Sequence, residues 1–467
     1  MHYLSHAGDA RNRKSDAPDD GDDIHEEISS EGETVSDQIV KAADMITHAL
    51  TTSPVYDQYS NKSLGLNILG IILYLVDYVS DIVVAYLLEE ETGHSTIYFR
   101  TWTIVLIVVP LLVVNLFSLV WYHQDHIEHP GGFCPRKEAR DGKERLALIV
   151  CHVLCLGPVV RQVQIIWCGR QEQQHTAKHG HEHAAGPYCV NANQKSSGKY
   201  LELYMTRKYY ERDSAYLALI DSFIQDAPQL ILQLYILLSR HPDDLVNVET
   251  ALAQLGSVLL SLLSLSLSLV SYAQASRWAD PNVPQLTPLA VLVQWLWRLF
   301  MLSGRMFVFC MFLTVCLNEF FVFLGFHYLL MLLWILFMRS NFCGSIDGVR
   351  RPVSELVYNV VMAFILVFDI VNIKEGPTRL KNLLYYSLIT AEHGVLMYFW
   401  YRKTSSNLAG LDTATHLPWS HSARYHMVSL AMVPALECCG LVFLFIYYTK
   451  LHPAGSLPDK TQPARII

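Results

Sequence analysis

Long apolar stretches alternate with shorter polar ones from residue 64 to residue 449. A helix needs roughly 20 apolar residues to cross the hydrocarbon core of a bilayer. Ten segments approach that length, at about 64–88, 101–122, 146–167, 214–239, 249–276, 287–317, 320–338, 354–373, 380–401 and 427–449. The pattern predicts an all-α polytopic membrane protein.

Basic residues in the connecting loops indicate which of these segments cross the membrane. The loops at 123–145 and 168–213 are both rich in Lys and Arg, as cytosolic loops are. The segment between them, 146–167, should therefore enter and leave on the same side, and 354–373 is also flanked by basic residues at both ends. The sequence predicts about eight transmembrane helices, two re-entrant or half-spanning segments, and cytosolic termini. The basic pair at 402–403 disagrees, because this topology puts it outside.

The order of two spanning segments, one non-spanning segment and two further spanning segments occurs twice along the chain, so we expect two similar halves. Residues 1–63 are acidic and polar and are expected to form a disordered cytosolic tail, in which 35–50 has the spacing of a short amphipathic helix. The expected division of the chain is 1–63 tail, 64–167 first membrane segments, 168–213 cytosolic loop, 214–449 remaining membrane bundle and 450–467 short cytosolic tail.

Composition excludes several classes of function. The chain of 467 residues is 52% hydrophobic and only 17% charged, and no basic face is interleaved with aromatic residues as in nucleic-acid-binding proteins. The ten cysteines are scattered and form neither a disulfide framework nor a zinc ribbon. No nucleotide-binding loop, nucleophile elbow or zinc-protease motif occurs. We therefore expect no enzyme activity, no cofactor and no nucleic-acid partner.

A histidine-rich tract at 175–183 is the one motif that suggests a metal. Imidazole groups bind zinc and copper, but this tract has no accompanying carboxylate or thiol motif. We interpret it as a flexible, solvated loop rather than a metal site. Its histidines are His175, His179, His181 and His183.

Charged side chains inside the apolar segments are the strongest candidates for a functional site. An acidic residue at the bilayer centre costs roughly 2.5–3.5 kcal/mol on insertion scales, so something must offset it. Asp77 and Asp81 lie four residues apart and share one face of the first span. Arg298 and Arg305 lie two turns apart and share a face of the sixth segment. The predicted seam residues are Asp77, Asp81, Arg161, Asp221, Gln225, Asp226, Arg298 and Arg305.

Two interpretations of these residues remain open from the sequence alone. They form buried ion pairs that fix helix register, or they line a hydrophilic seam along which something polar crosses. In either case acids of the first half could pair with arginines of the second half, at the interface between the halves. Pro228 is expected to bend the helix of the fourth segment. The serines of the fifth segment are interpreted as small residues for close packing: Ser257, Ser261, Ser264, Ser266, Ser268 and Ser271.

Several stretches resemble the XK-related family of membrane proteins. The segment DSFIQDAPQLILQL resembles the family's E-S-A-P-Q-L segment, and VDYVSD resembles the acid pair of its first span. LGPVVRQVQ, KEGPTR and YYTKLHP resemble further family motifs, in the same order along the chain. In one departure, Gln225 followed by Asp226 replaces a second acid ahead of A-P-Q, which moves the acid about 100° around the helix.

The resemblance implies a function and a location. Family members scramble phospholipids between leaflets at the plasma membrane, and some expose phosphatidylserine on dying cells after caspase cleavage. Asp77, Asp81 and Asp221 would then belong to the charged interior that takes lipid headgroups across. Other members bind a peptidase-like subunit or a lipid-transfer protein, so the alternative function is that of a non-scrambling adaptor. The resemblance also implies that an accessory membrane subunit or a second copy of the chain is a possible partner. A third interpretation, that the protein is a solute transporter, rests only on the pattern of two similar halves.

The acidic tail contains candidate caspase sites. SDAPDDGDDIHEE includes the tetrapeptides DAPD and DGDD, so the expected cleavage positions follow Asp19, Asp20 or Asp23. An extended, unstructured tail is accessible to a protease, and the nematode cell-death member of the family resembles this arrangement. The alternative is that any Asp-rich tail contains such tetrapeptides by chance.

Overall fold

The computed structural model describes residues 59–90, 94–128, 142–183, 194–239, 248–278, 286–338, 352–372, 378–409 and 423–452, and every regular element within them is helical. A π-helical turn at Tyr447–Leu451 follows the last α-helix. The α-helices are α1 (Asn61–Glu90), α2 (His94–Glu128), α3 (Gly142–Val153), α4 (Gly157–His183), α5 (Gln194–Ile224), α6 (Asp226–Ser239), α7 (Val248–Trp278), α8 (Pro288–Val315), α9 (Leu317–Met338), α10 (Pro352–Leu366), α11 (Thr378–Ala409) and α12 (Ala423–Ile446).

Six helices of the described part are long and apolar enough to cross a membrane, namely α1, α2, α7, α8, α9 and α12 with its π-helical turn. The prediction of an all-α polytopic membrane protein is therefore confirmed. The other two predicted spans, 214–239 and 380–401, fold as α5–α6 and α11, which carry more polar side chains. Eight crossings therefore remain a prediction.

The two segments predicted not to span contain short helices. α3 has 12 residues and α10 has 15. At 1.5 Å per residue these helices are about 18 and 22 Å long, shorter than the roughly 30 Å hydrocarbon core. After α10 the chain continues through Val367–Val371 without helical structure, and these residues are buried.

A tight turn joins α3 to α4. Cys155 has a φ of 60°, a conformation that non-glycine residues seldom adopt. The backbone N–H of Gly157 then donates a 2.7 Å hydrogen bond to Asn115 Oδ1 on α2. A Cβ atom at residue 157 would lie 2.6 Å from that oxygen, so the close approach requires glycine.

The described residues of the segment 168–213 are helical, while the cytosolic location of this segment stays a prediction. α4 continues to His183 and α5 begins at Gln194, and the two helices pack together. Hence the tract at 175–183 is the end of a helix rather than a flexible loop. Polar composition hid this, because long charged side chains are also good helix formers.

Residues of α4 also contact Tyr59, which lies just before the start of α1. The ring of Tyr59 covers Gly169, where a Cβ atom would lie 2.5 Å from the ring. The Tyr59 backbone N–H donates to Glu172 Oε1 at 3.4 Å, and the guanidinium of Arg207 lies 5.5 Å from the ring centre. The start of the membrane region is thus fixed to the α4–α5 pair. Residues 1–58, which include the predicted helix at 35–50 and Asp19, Asp20 and Asp23, lie outside the described residues.

α8 is the central helix and packs against α6, α7, α9, α11 and α12. In each predicted half the first helix packs against the fifth, α1 against α7 and α8 against α12, which agrees with two similar halves. Gly440 permits the close approach of α12 to α8, since a Cβ atom there would lie 2.5 Å from Met301 Sδ. Large apolar side chains stay exposed along the outside of the bundle, as expected for contact with lipid.

Candidate functional site

Four buried carboxylates lie together where α1 meets α5, α6 and α7. Asp77 and Asp81 project from α1, Asp221 from α5 and Asp226 from α6, and none of the four is more than 7% exposed. Ser257 Oγ donates a 2.7 Å hydrogen bond to Asp81 Oδ1. Asp77 interacts electrostatically with Asp226 and Asp81. We call these four residues the acidic cluster.

A break in the fourth segment positions half of the acidic cluster. α5 ends at Ile224 and α6 begins at Asp226, with Gln225 between them. Pro228 has no backbone N–H, so the carbonyl of Ile224 loses its helical donor there. This interruption at Gln225 lies three residues before the proline at which the sequence predicts a bend. It places Asp221 and Asp226 on two different helices that both face α1.

A row of buried glutamines continues from the acidic cluster. Gln225, Gln229 and Gln233 are spaced four residues apart, so they share one face, and each is fully buried. Gln233 Nε2 donates to Thr103 Oγ1 on α2 at 3.1 Å, and Gln254 Nε2 on α7 donates to Gln233 Oε1 at 3.1 Å. We call Gln225, Gln229 and Gln233 the glutamine row. The sequence argument missed its last two members, although their spacing could have identified them.

Many polar atoms in the cluster and the row have no hydrogen-bond partner. Buried side-chain atoms without one are the amide nitrogen and oxygen of both Gln225 and Gln229, together with Asp77 Oδ1, Asp81 Oδ2 and Asp226 Oδ2. Each such buried group costs about 1–3 kcal/mol. Such a concentration of unpaired polar atoms in one place indicates that these atoms find hydrogen-bond partners in another state of the protein.

No arginine or lysine neutralises the acidic cluster within the part of the chain that the structure describes. The neighbours that influence its four carboxylates are other acids, Tyr78, serines and glutamines. Tyr78 OH, for example, donates to Asp221 Oδ1 at 3.4 Å. The serines of α7 do more than pack, because Ser264 also exchanges a 3.2 Å hydrogen bond with Ser222 of α5.

The expected pairing of first-half acids with second-half arginines does not occur. Arg298 Nη1 lies 3.0 Å from Asp369 Oδ2, and Arg305 Nη1 lies 2.9 Å from Glu392 Oε2, so both arginines bind acids of their own half. The seam of acids accordingly lies among helices of the first half, not at the interface between halves. Sequence spacing places residues on one helix face but does not reveal which helix packs against that face.

Both arginines also bind backbone carbonyls of the buried non-helical segment that follows α10. Carbonyls outside a helix have no helical donors, and no water is available inside a bilayer to supply them. Arg305 donates to Val367 O from Nε at 2.9 Å and from Nη2 at 2.7 Å, and Arg298 Nη1 donates to Ile370 O at 2.5 Å. The chain can therefore stop its helix within the membrane region without leaving these carbonyls unpaired.

Arg305 has an acceptor for each of its five N–H groups. Two go to Val367 O, one to Glu392, and the remaining two point at His327 Nε2 and His393 Nε2, each at 3.5 Å. The other nitrogens of the histidines contact acids, His327 Nδ1 with Glu392 Oε1 at 2.6 Å and His393 Nδ1 with Glu437. Arg305 is therefore fully engaged within the second half.

Arg161 lies apart from the acidic cluster, near the turn between α3 and α4. It is fully buried beside the rings of Trp121 and Tyr122 of α2, and its Nε donates to Ser118 Oγ at 3.0 Å. Its Nη1 lies 3.6 Å from Asp213 Oδ2 of α5. These contacts fix the helix that follows the turn.

The metal and caspase predictions have different outcomes. Among the described residues, no group of three or more His, Cys, Asp or Glu side chains is arranged to hold a metal ion. The three predicted cleavage positions lie outside the described residues, so they remain predictions.

An all-α bundle with six membrane-length helices and a buried acidic cluster defines a polytopic membrane protein. The sequence profile of the XK-related family, described as XK-related protein, matches residues 65–453. The chain belongs to this family. It is similar to XK-related protein 8 of Gasterosteus aculeatus, with 25% identity over 417 residues that cover 87% of this chain and 88% of that protein.

Proposed function

We propose that this protein is a phospholipid scramblase of the plasma membrane, and that headgroups cross along the acidic cluster and the glutamine row. The observation that carries the proposal is the set of buried carboxylate and amide atoms without hydrogen-bond partners, between α1, α5–α6 and α7. A polar headgroup crosses hydrocarbon only where protein groups replace its water. The acyl chains stay in the bilayer meanwhile.

The site as described is closed. All four carboxylates of the acidic cluster are at least 93% buried, and the glutamine row is fully buried. A path that were open at all times would abolish the lipid asymmetry of the membrane, so the protein needs a lock. We propose that caspase cleavage after Asp19, Asp20 or Asp23 releases that lock during apoptosis. The released protein then exposes phosphatidylserine and promotes engulfment of the dying cell.

Reconstitution tests the proposal. The purified full chain is placed in liposomes that carry a fluorescent phospholipid, before and after treatment with an executioner caspase, and a membrane-impermeant reductant bleaches the outer leaflet. The cleaved protein should allow bleaching of nearly all of the fluorescence, and the uncleaved protein only about half, the outer-leaflet share. Bleaching limited to half in both states would contradict the proposal and favour the non-scrambling adaptor.

Variants separate a lipid path from a structural role. Asp81→Asn and Asp221→Asn keep the shape of the side chain but remove the charge, and each should slow scrambling about tenfold or more. Glu319→Gln is the matched control, because the Glu319 side chain is 61% exposed and lies outside the acidic cluster. If the Asp variants lose only stability and scramble normally per folded molecule, the carboxylates are structural.

A further inference from the structure

The acidic cluster gathers four buried carboxyl groups, and no arginine or lysine is among the neighbours that act on them in the described chain. Such a site attracts a positive group and repels a negative one, and the low dielectric of a membrane interior strengthens both effects. All phospholipids that pass along it carry a phosphate, but only some also carry an ammonium group. The charge of the site therefore distinguishes between classes of headgroup.

The partnerless atoms match the two parts of such a headgroup. Asp77 Oδ1, Asp81 Oδ2 and Asp226 Oδ2 are acceptors without donors, which suits the N–H groups of a primary ammonium, whereas a choline group has no N–H and would be held by its charge alone. The amides of Gln225 and Gln229 lie close to Asp81 but make no hydrogen bond of good geometry at either nitrogen or oxygen, so each amide can turn to donate to a phosphate. Both side chains are fully buried.

The two arginines that would otherwise attract an anion are mostly occupied, although Arg298 Nε has no hydrogen-bond partner. Arg305 has five acceptors for its five N–H groups, and Arg298 binds Asp369 and Ile370 O. Both lie on α8, which packs against α6 and α7, but both bind acids of the second half. A metal ion is a poorer match than an ammonium, since no metal-binding arrangement occurs among the described residues.

We propose that the acidic cluster and the glutamine row select phospholipids whose headgroup carries an ammonium, such as choline, ethanolamine or serine lipids, over phospholipids without one. The carboxylates of the acidic cluster bind the ammonium, and the amides of Gln225 and Gln229 bind the phosphate. This inference rests on the proposed function, of which it names the substrate class.

The test compares lipids that differ only in headgroup. Phosphatidylcholine, phosphatidylethanolamine and phosphatidylglycerol probes, each labelled on the same acyl chain, are added in turn to liposomes containing the activated protein. The choline and ethanolamine probes should cross at least ten times faster than the glycerol probe. In the double variant Asp77→Asn/Asp81→Asn this ratio should fall to about one to three, while Glu319→Gln keeps the ratio of the unaltered protein.

The outcomes distinguish this inference from the proposed function. Equal rates for all three probes overturn the selectivity and leave scrambling intact. If no probe crosses, thermal unfolding of the purified full chain with short-chain phosphatidylcholine or phosphatidylglycerol decides. Stabilisation by the choline lipid alone, lost in the double variant, supports an ammonium site without transport. Equal stabilisation by the two lipids, or none by either, overturns the inference as well.

Discussion

Ser257 of α7 donates a 2.7 Å hydrogen bond to Asp81 of α1, and it is the one donor of good geometry that reaches this fully buried carboxylate within the described chain. The contact joins helices that are 176 residues apart at these positions. It shows how the acidic cluster is held in its closed arrangement, with one carboxylate oxygen bound and the other left without a partner.

Removing that donor should destabilise the closed bundle. Ser257→Ala leaves a buried carboxylate without a hydrogen bond, which should cost about 1–3 kcal/mol. Thermal unfolding of the purified chain in detergent measures the loss. Ser271→Ala on the same helix is the control, because Ser271 is exposed and its loss should change stability by less than about 0.5 kcal/mol. Equal effects of the two variants would show that the Ser257 hydrogen bond contributes nothing.

Arg305 should be among the least replaceable residues of the second half. Arg305→Gln removes a charge from a buried network and withdraws donors from Val367 O, so we expect a loss of about 3–5 kcal/mol. Arg305→Lys should rescue only part of this, since an ammonium lacks the planar fork of a guanidinium. Folded yield and thermal unfolding measure the effect, with the exposed Arg402→Gln as control. Normal stability of Arg305→Gln would contradict the capping role.

The ionisable residues within the membrane region could be found from the sequence, but their partners could not. The sequence placed Asp77 and Asp81 on one face because a helical period determines that relationship. It paired Arg305 with the wrong half because the demand for donors at the end of α10 arises only once that helix stops inside the bundle. Glu392 was visible as an acid, yet nothing in its local sequence indicates that it faces α8.

The position of the Tyr59 ring should depend on the absence of a side chain at residue 169. A Cβ atom there would overlap the tyrosine ring at 2.5 Å, so Gly169→Val should displace the ring and release the Tyr59 N–H from Glu172. Hydrogen exchange of the peptide that contains Tyr59 should become faster. Gly256→Val is the matched control, because a Cβ atom at Gly256 meets nothing within 4 Å. Unchanged exchange in Gly169→Val would mean that the ring does not hold this junction.

The predicted topology places the end of α4 in the cytosol. Lys178 is exposed on α4, and Glu89 is exposed at the end of α1, which the same topology places outside. In a background without reactive cysteines, an impermeant thiol reagent added to intact cells should label Glu89→Cys and not Lys178→Cys. Permeabilised cells should label both positions. Labelling of residue 178 from outside would contradict cytosolic loops around α3 and α4.

Cleavage of the acidic tail is the expected trigger for opening the seam. The tail joins the membrane region at Tyr59, which is fixed to Glu172 on α4, and α4 packs against α5, the helix that carries Asp221. We expect a change in the tail to reach the acidic cluster through these two packed helices. Incubation of the purified full chain with an executioner caspase should produce a new N-terminus after Asp19, Asp20 or Asp23. A variant with all four of Asp16, Asp19, Asp20 and Asp23 replaced by alanine should stay uncut and should not be activated by the protease. Activation of that variant, or an uncut tail in the unaltered protein, would remove cleavage from the mechanism.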